Sequence, residues 1–180
     1  SYIGTYSTMS TNNRVPSYQK NGKEWSKVDL KYFNYGPTNL MTNVEDLLKW
    51  SNALMRKNTF PPKLIDEFNE VSTTPEGERL VAADLGDEKI LGCSGQFLRD
   101  YKGKQFYSHG GSIGGFRGLV GRVPEDSISI VILGNDDSTE SYIEALQILD
   151  LLSGRTFEEI QKNVRVERRN TRITQKLVNQ

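Results

Sequence analysis

From residue 89 onward apolar and polar positions alternate, whereas earlier in the chain the apolar ones recur every three or four places. The alternation predicts extended segments at about 90–100, 104–109, 116–123 and 127–134. They are separated by Lys102-Gly103-Lys104, by a turn running from Gly110 to Gly115, and by Pro124-Glu125-Asp126. Breaks that short imply hairpins, and hence an antiparallel meander. The last segment, Ser127 to Leu133, is apolar enough to be expected at the centre of its sheet.

Helical spacing dominates the first half. Thr42-Asn43-Val44-Glu45 has the form of a capping box, and Val44, Leu47, Leu48, Leu54 and Met55 extend one stripe to about residue 57. Trp50 lies close to that stripe and is expected to pack. Pro61-Pro62 ends the helix, and a shorter one follows at about 62–71 through Leu64, Ile65 and Phe68. A third runs from about 139 to 153 with Tyr142, Ile143, Leu146, Leu149 and Leu152 on one side. Asp137-Ser138-Thr139 is expected to cap it, in preference to Asp136-Asp137 holding a metal, and Gly154 to stop it. Residues 1–37 and 72–88 read as loop. The layout is α+β: an antiparallel sheet with a packed C-terminal helix and a preceding helical region. Residues 1–88 form the loop-rich and helical region, 89–154 the sheet and helix of the same domain, and 155–180 a charged tail or linker.

Composition narrows the partners. Of the 180 residues, 23 are basic and 23 acidic, so no net field recruits nucleic acid or an anionic membrane. The basic excess among the last 19 residues, including Arg165, Arg168, Arg169 and Arg172, reads as a solvated tail. One cysteine, Cys93, excludes an internal disulfide and a cysteine zinc site; one histidine, His109, excludes a His-rich metal site. Cys93 is expected to be a small buried residue and not a reactive thiol. No apolar run reaches the roughly 18 residues of a membrane span, and Ser1-Tyr-Ile-Gly-Thr-Tyr does not read as a signal peptide. Ser1 is not an initiator Met, and the chain is expected to begin partway into a longer protein.

The chemistry concentrates at His109-Gly110-Gly111-Ser112. Glycines let a ligand approach the backbone and leave N–H groups unshielded, as an oxyanion hole requires. A histidine beside such donors can hold a proton near neutral pH. Arg117, on the following strand, could meet an anionic substrate. A glycine-rich hairpin with a surface histidine is the plainer reading of the same residues.

The wider context favours the first. Tyr107-Ser-His-Gly-Gly-Ser-Ile-Gly-Gly-Phe-Arg-Gly118, then Val123-Pro-Glu-Asp-Ser127 and Ile130-Val-Ile-Leu-Gly-Asn135, resembles the serine β-lactamase and penicillin-binding protein superfamily. Its class C-like branch, with esterases and D-aminopeptidases, is the nearest. Gly36-Pro-Thr-Asn-Leu-Met-Thr42-Asn-Val-Glu-Asp46-Leu-Leu-Lys-Trp50 is similar to another element of that family. Together these cover roughly residues 36–154. The resemblance implies a partial β-lactamase/transpeptidase-like fold and makes His109-Gly110-Gly111 the family's third motif. His109 would hold the substrate carboxylate or tune proton transfer, Gly110 and Gly111 would line the substrate, and Ser112 would give its backbone N–H to the oxyanion.

The family's nucleophile is the serine of a helical Ser-x-x-Lys, with a Tyr-x-Asn loop as second proton-transfer group. Ser17-Tyr-Gln-Lys20 and Tyr32-Phe-Asn34 fit these patterns, but 15 serines and 12 lysines yield about one Ser-x-x-Lys by chance. Asn21-Gly22 also breaks the helix the motif needs. The real nucleophile is therefore expected upstream of Ser1. The chain reads as the C-terminal part of a serine hydrolase, inactive alone, acting in its parent on a β-lactam, D-Ala peptide or ester without a cofactor. The alternative is a non-catalytic relative that binds ligand or partner. By resemblance the parent is periplasmic or otherwise extracytoplasmic. A missing N-terminal half would leave a sheet edge open for pairing or self-association.

Overall fold

The computed structural model describes residues 1–3, 14–29, 38, 40–56, 59–86, 88–156, 158–162 and 164. Tyr2–Ile3 (β1) pairs with Leu40–Met41 (β4). Between them Ser17–Asn21 (β2) and Glu24–Val28 (β3) form a hairpin. Val44–Met55 (α1) and Pro62–Asn69 (α2) follow. Next come Val81–Asp84 (β5), Lys89–Cys93 (β6), Gln96–Tyr101 (β7), Lys104–Ile113 (β8), Phe116–Val123 (β9) and Ile128–Gly134 (β10), and finally Ser141–Leu152 (α3). The six strands β5 to β10 lie in chain order in one antiparallel sheet, so the architecture is α+β as the pattern predicts.

Several elements depart from expectation. Residues 1–37 are not all loop. The β2–β3 hairpin turns on Asn21-Gly22-Lys23, with Gly22 at φ +64°, but its strands carry too few apolar residues to show a period. β5 lies within the span read as loop. The single segment at 90–100 is two strands, because Ser94-Gly95 makes a turn with Gly95 at φ +68°. β8 does not stop at His109; it continues to Ile113, and only Gly114-Gly115 turn. The cap of α1 is Asn43, whose Oδ1 accepts from the Asp46 N–H at 2.8 Å, so the cap sits one residue later than Thr42 and Glu45 suggest. α3 starts after Glu140 with no side-chain cap. Asp136 instead accepts from the Ser138 N–H and hydroxyl, and Asp137 from the Lys20 N–H.

β10 lies at the end of the sheet, not at its centre. Its apolar character has another cause: both its faces are covered. Ile128, Ile130 and Ile132 pack with α3 in a core of Phe106, Leu119, Val123, Ala145 and Leu149. On the opposite face α1 sits close, and its buried Ser51 meets Ser129 at 2.9 Å and the Gly121 carbonyl at 3.3 Å. Phe106 explains why position 121 is glycine, since a Cβ there would stand 2.6 Å from its ring. The chain after α3 stays packed at first, with Ile160 and Val164 buried against Ile143.

A buried cation joins α2 to the sheet. Arg122 of β9 is 4% exposed, and among the described residues no carboxylate pairs with it. Its guanidinium lies over the rings of Tyr107 and Phe68, at 4.8 and 5.8 Å, and donates to Asn69 Oδ1, while among the described residues its Nε has no hydrogen-bond partner. Gln96 Nε2 donates to the same Asn69 oxygen and to the Phe68 carbonyl. Burial pushes the Arg122 guanidinium below its ordinary value and the Cys93 thiol above its own. A buried charge with few partners costs more when an acceptor is removed than when the charge itself is replaced. Asn69→Leu should therefore lower stability in urea unfolding by about 1–3 kcal/mol. Arg122→Met, which leaves no orphaned donor, should cost less. The reverse order would mean that the guanidinium's ring contacts outweigh its desolvation.

Candidate functional site

Two glycine-containing turns fix the hydrogen-bond parity of β8. Gly114 and Gly115 have φ of +46° and +86°, the signature of a two-residue type I′ turn. In such a hairpin the flanking pair, here Ile113 and Phe116, exchanges both of its backbone bonds. Alternation then commits Tyr107, His109, Gly111 and Ile113 to β9. At the other end Lys102 and Gly103 also have positive φ, +56° and +79°, so Tyr101 and Lys104 exchange their bonds. That commits Lys104, Phe106 and Ser108 to β7. The two turns agree on one assignment.

The pairing of β7 with β8 reaches no further than Phe97, opposite Ser108. The N–H and C=O groups of Gly110 and Ser112 therefore point past its end, where no strand pairs with them among the described residues. Little side chain shields them. A Cβ at Gly111 would meet nothing within 4 Å, and one at Gly110 only the Gly118 carbonyl at 3.4 Å. Glycine at these positions bares the main chain.

His109 stands opposite Val120 at the point where β7 stops. Its exposed imidazole lies flat on the Phe97 ring, with centroids 5.5 Å apart and planes 12° apart. The stacking holds the ring beside the open edge; Phe97, 40% exposed, carried no sequence signal beyond being an aromatic in a strand. Arg117 is directly opposite Ser112, and its Nη1 donates to the Phe116 carbonyl at 3.0 Å. Residues His109 to Ser112 and Arg117 are thus brought together by one hairpin.

Ser17 and Lys20 do not form a Ser-x-x-Lys unit. They lie on a strand, where residues three apart face opposite sides, so hydroxyl and ammonium point away from each other. The Ser17 hydroxyl donates to the Gly114 carbonyl at 2.6 Å, and Lys20 Nζ stands 5.5 Å from the centroid of Trp25. Tyr32 and Asn34 lie outside the described residues. Trp50, expected to pack, is 47% exposed and meets Phe60 edge-on at 5.9 Å. It sits one position off the helix's buried stripe.

With this geometry in place, known proteins offer a frame. The sequence profile of the family described as Beta-lactamase matches residues 4–153. The fold is similar to that of the octameric penicillin-binding protein homologue from Pyrococcus abyssi, with a TM-score of 0.58 and 20% sequence identity. The similarity covers 78% of this chain and 31% of that one, so the chain spans under a third of that protein. A search of curated proteins returned no match.

The parity of β8 predicts an alternating hydrogen-exchange pattern. Amides of His109, Gly111 and Ile113, held by β9, should exchange at least tenfold more slowly than those of Gly110 and Ser112, after correction for intrinsic rates. NMR-detected exchange reads this residue by residue, and uniform protection from 109 to 113 would contradict the assignment.

Proposed function

The chain belongs to the β-lactamase family, and we propose that its β8–β9 hairpin is the third-motif wall of a serine acyl-transfer site. The observation that carries this reading is the open edge at Gly110 and Ser112. An extended acyl substrate can add there as a strand, its backbone-like amide bonding to groups that β7 leaves unpaired. In acyl transfer a serine oxygen forms a bond to the substrate carbonyl carbon, and the carbonyl electron pair moves onto oxygen. The Ser112 N–H is the donor aimed at that oxygen. His109, beside it, holds the substrate carboxylate or exchanges a proton, and Arg117 adds positive charge across the hairpin. When the tetrahedral centre collapses, the leaving nitrogen or oxygen departs with a proton, and water later releases the acyl group.

The nucleophile in this reading is a helical Ser-x-x-Lys on polypeptide preceding Ser1, and the substrate is a β-lactam, a D-Ala peptide or an ester. No cofactor takes part. The parent protein is extracytoplasmic; no helix among the described residues is long and apolar enough to cross a membrane. A second reading, a relative that binds ligand without turnover, is favoured by the commitment of the Ser17 hydroxyl to Gly114. Labelling separates the two. A fluorescent penicillin and a fluorophosphonate should leave no adduct on this chain and should mark a helical serine in its longer reading frame. An adduct on Ser17 would overturn the assignment of the nucleophile, and no adduct on either polypeptide would favour the binding reading.

The remaining edge supports a partner. Among the described residues no strand pairs with β10 from Ile128 to Leu133 on its outer side, and Val44, Leu133, Ile148 and Leu151 line a groove of about 600 Å³ there. With α1 and α3 on the two faces of β10, the groove suits a strand apolar on both sides. The reading assigns this slot to the N-terminal half of the parent. Sedimentation of the chain alone should accordingly reveal concentration-dependent self-association through the vacant slot. Val131→Lys, aimed at the β10 face beside it, should reduce that association.

A further inference from the structure

Hairpin β2–β3 adds almost nothing to the core. Of its ten strand residues only Ser17 is buried, at 2% exposure, and most of the others face solvent. That one buried side chain is spent on the Gly114 carbonyl, 97 residues away in sequence. The neighbouring contacts fall on the same end of the sheet. Tyr18 N–H donates to the Asn135 carbonyl at 2.8 Å, Asp137 N–H to the Tyr18 carbonyl at 3.3 Å, and Asn135 Nδ2 to the Pro16 carbonyl at 3.0 Å. A Cβ at Gly115 would stand 2.6 Å from the Tyr18 oxygen, so bare main chain is the only surface the hairpin can sit against there.

We propose that Ser17 is a positioning residue: through Gly114 the β2–β3 hairpin clasps the Gly114–Gly115 turn and so fixes the direction of the Ser112 N–H. The physical reason lies in the softness of the element it holds. Two consecutive glycines have access to many turn conformations, and β8 beyond Ser108 is supported on one side only. A change of turn type would shift the pairing of Ile113 with Phe116 and rotate the open groups of Ser112. The hydroxyl of Ser17 supplies a fixed donor to the carbonyl within that turn. Its meaning for catalysis rests on the acyl-transfer reading; the clasp itself does not.

Exchange measurements on the chain decide the proposal. Ser17→Ala should speed amide exchange at Ile113 and Phe116 roughly fivefold to tenfold, the loss of one hydrogen bond, while Phe106 and Leu119 stay within twofold of the parent chain. Asn135→Ala, which loosens the hairpin without touching the turn, should quicken the same two amides. Unchanged exchange at Ile113 and Phe116 in Ser17→Ala overturns the proposal, as does an equal rise at all four positions. A titration with N-acetyl-D-Ala-D-Ala, followed by the Gly110 and Ser112 amide shifts, tests the acyl-site reading separately. Shifts that shrink in Ser17→Ala tie the clasp to ligand binding. No shifts in the unsubstituted chain would rule out a D-Ala peptide as the ligand of this edge, while the exchange results still decide the clasp.

Discussion

Which backbone groups this protein presents to its surroundings depends on the handedness of two short turns. Lys102-Gly103 and Gly114-Gly115 both adopt positive φ, and each closes a hairpin whose flanking residues must be a doubly bonded pair. Because the ladder of an antiparallel sheet alternates strictly, those two pairs determine the direction of every N–H along β8. Ile113 lies nine positions after Lys104, an odd offset, and that is why one turn hands the even positions to β7 while the other hands the odd positions to β9. The result would be of no consequence if β7 and β9 were equally long. β7 ends early, and two positions are left facing outward.

The same economy governs the rest of the sheet. β10 is apolar on both faces because α1 and α3 sandwich it, which separates two properties that usually travel together, burial and central position. Arg122 is held under α2 by rings and by a neutral amide in place of a carboxylate, an arrangement that spends stability to keep α2 close to the sheet beside Tyr107. The histidine uses a comparable device. Its ring lies against Phe97, and among the described residues no charged partner hydrogen-bonds to it.

Much of this was legible in the residues. Helical spacing located α1, α2 and α3 within a few positions, and alternation located β8, β9 and β10, because each buries one continuous face. The hairpin β2–β3 escaped since its strands are exposed; only Asn21-Gly22, a strong hairpin dipeptide, marked it. The glycines from 110 to 115 suggested one long turn, yet Gly110 and Gly111 are extended strand residues whose lack of side chain serves exposure and not bending. The place of β10 at the edge could not be read, as nothing local distinguishes coverage by helices from coverage by strands. The His109-Gly110-Gly111 segment was recognisable by its order of residues, whereas the contacts of Ser17 and Phe97 with it are distant in sequence or lie between neighbouring strands.

The connectivity also has a kinetic side. Every pairing in the six-stranded sheet joins neighbours in the chain, so the meander can zip from any of its tight turns with little loop entropy to overcome. The contacts of the β2–β3 hairpin are of another kind, spanning 97 and 119 residues. They can form only after the Gly114–Gly115 turn and the end of β10 already exist. On a newly made or refolding chain the scaffold of the site is therefore completed before its clasp, and local opening should begin where folding ends.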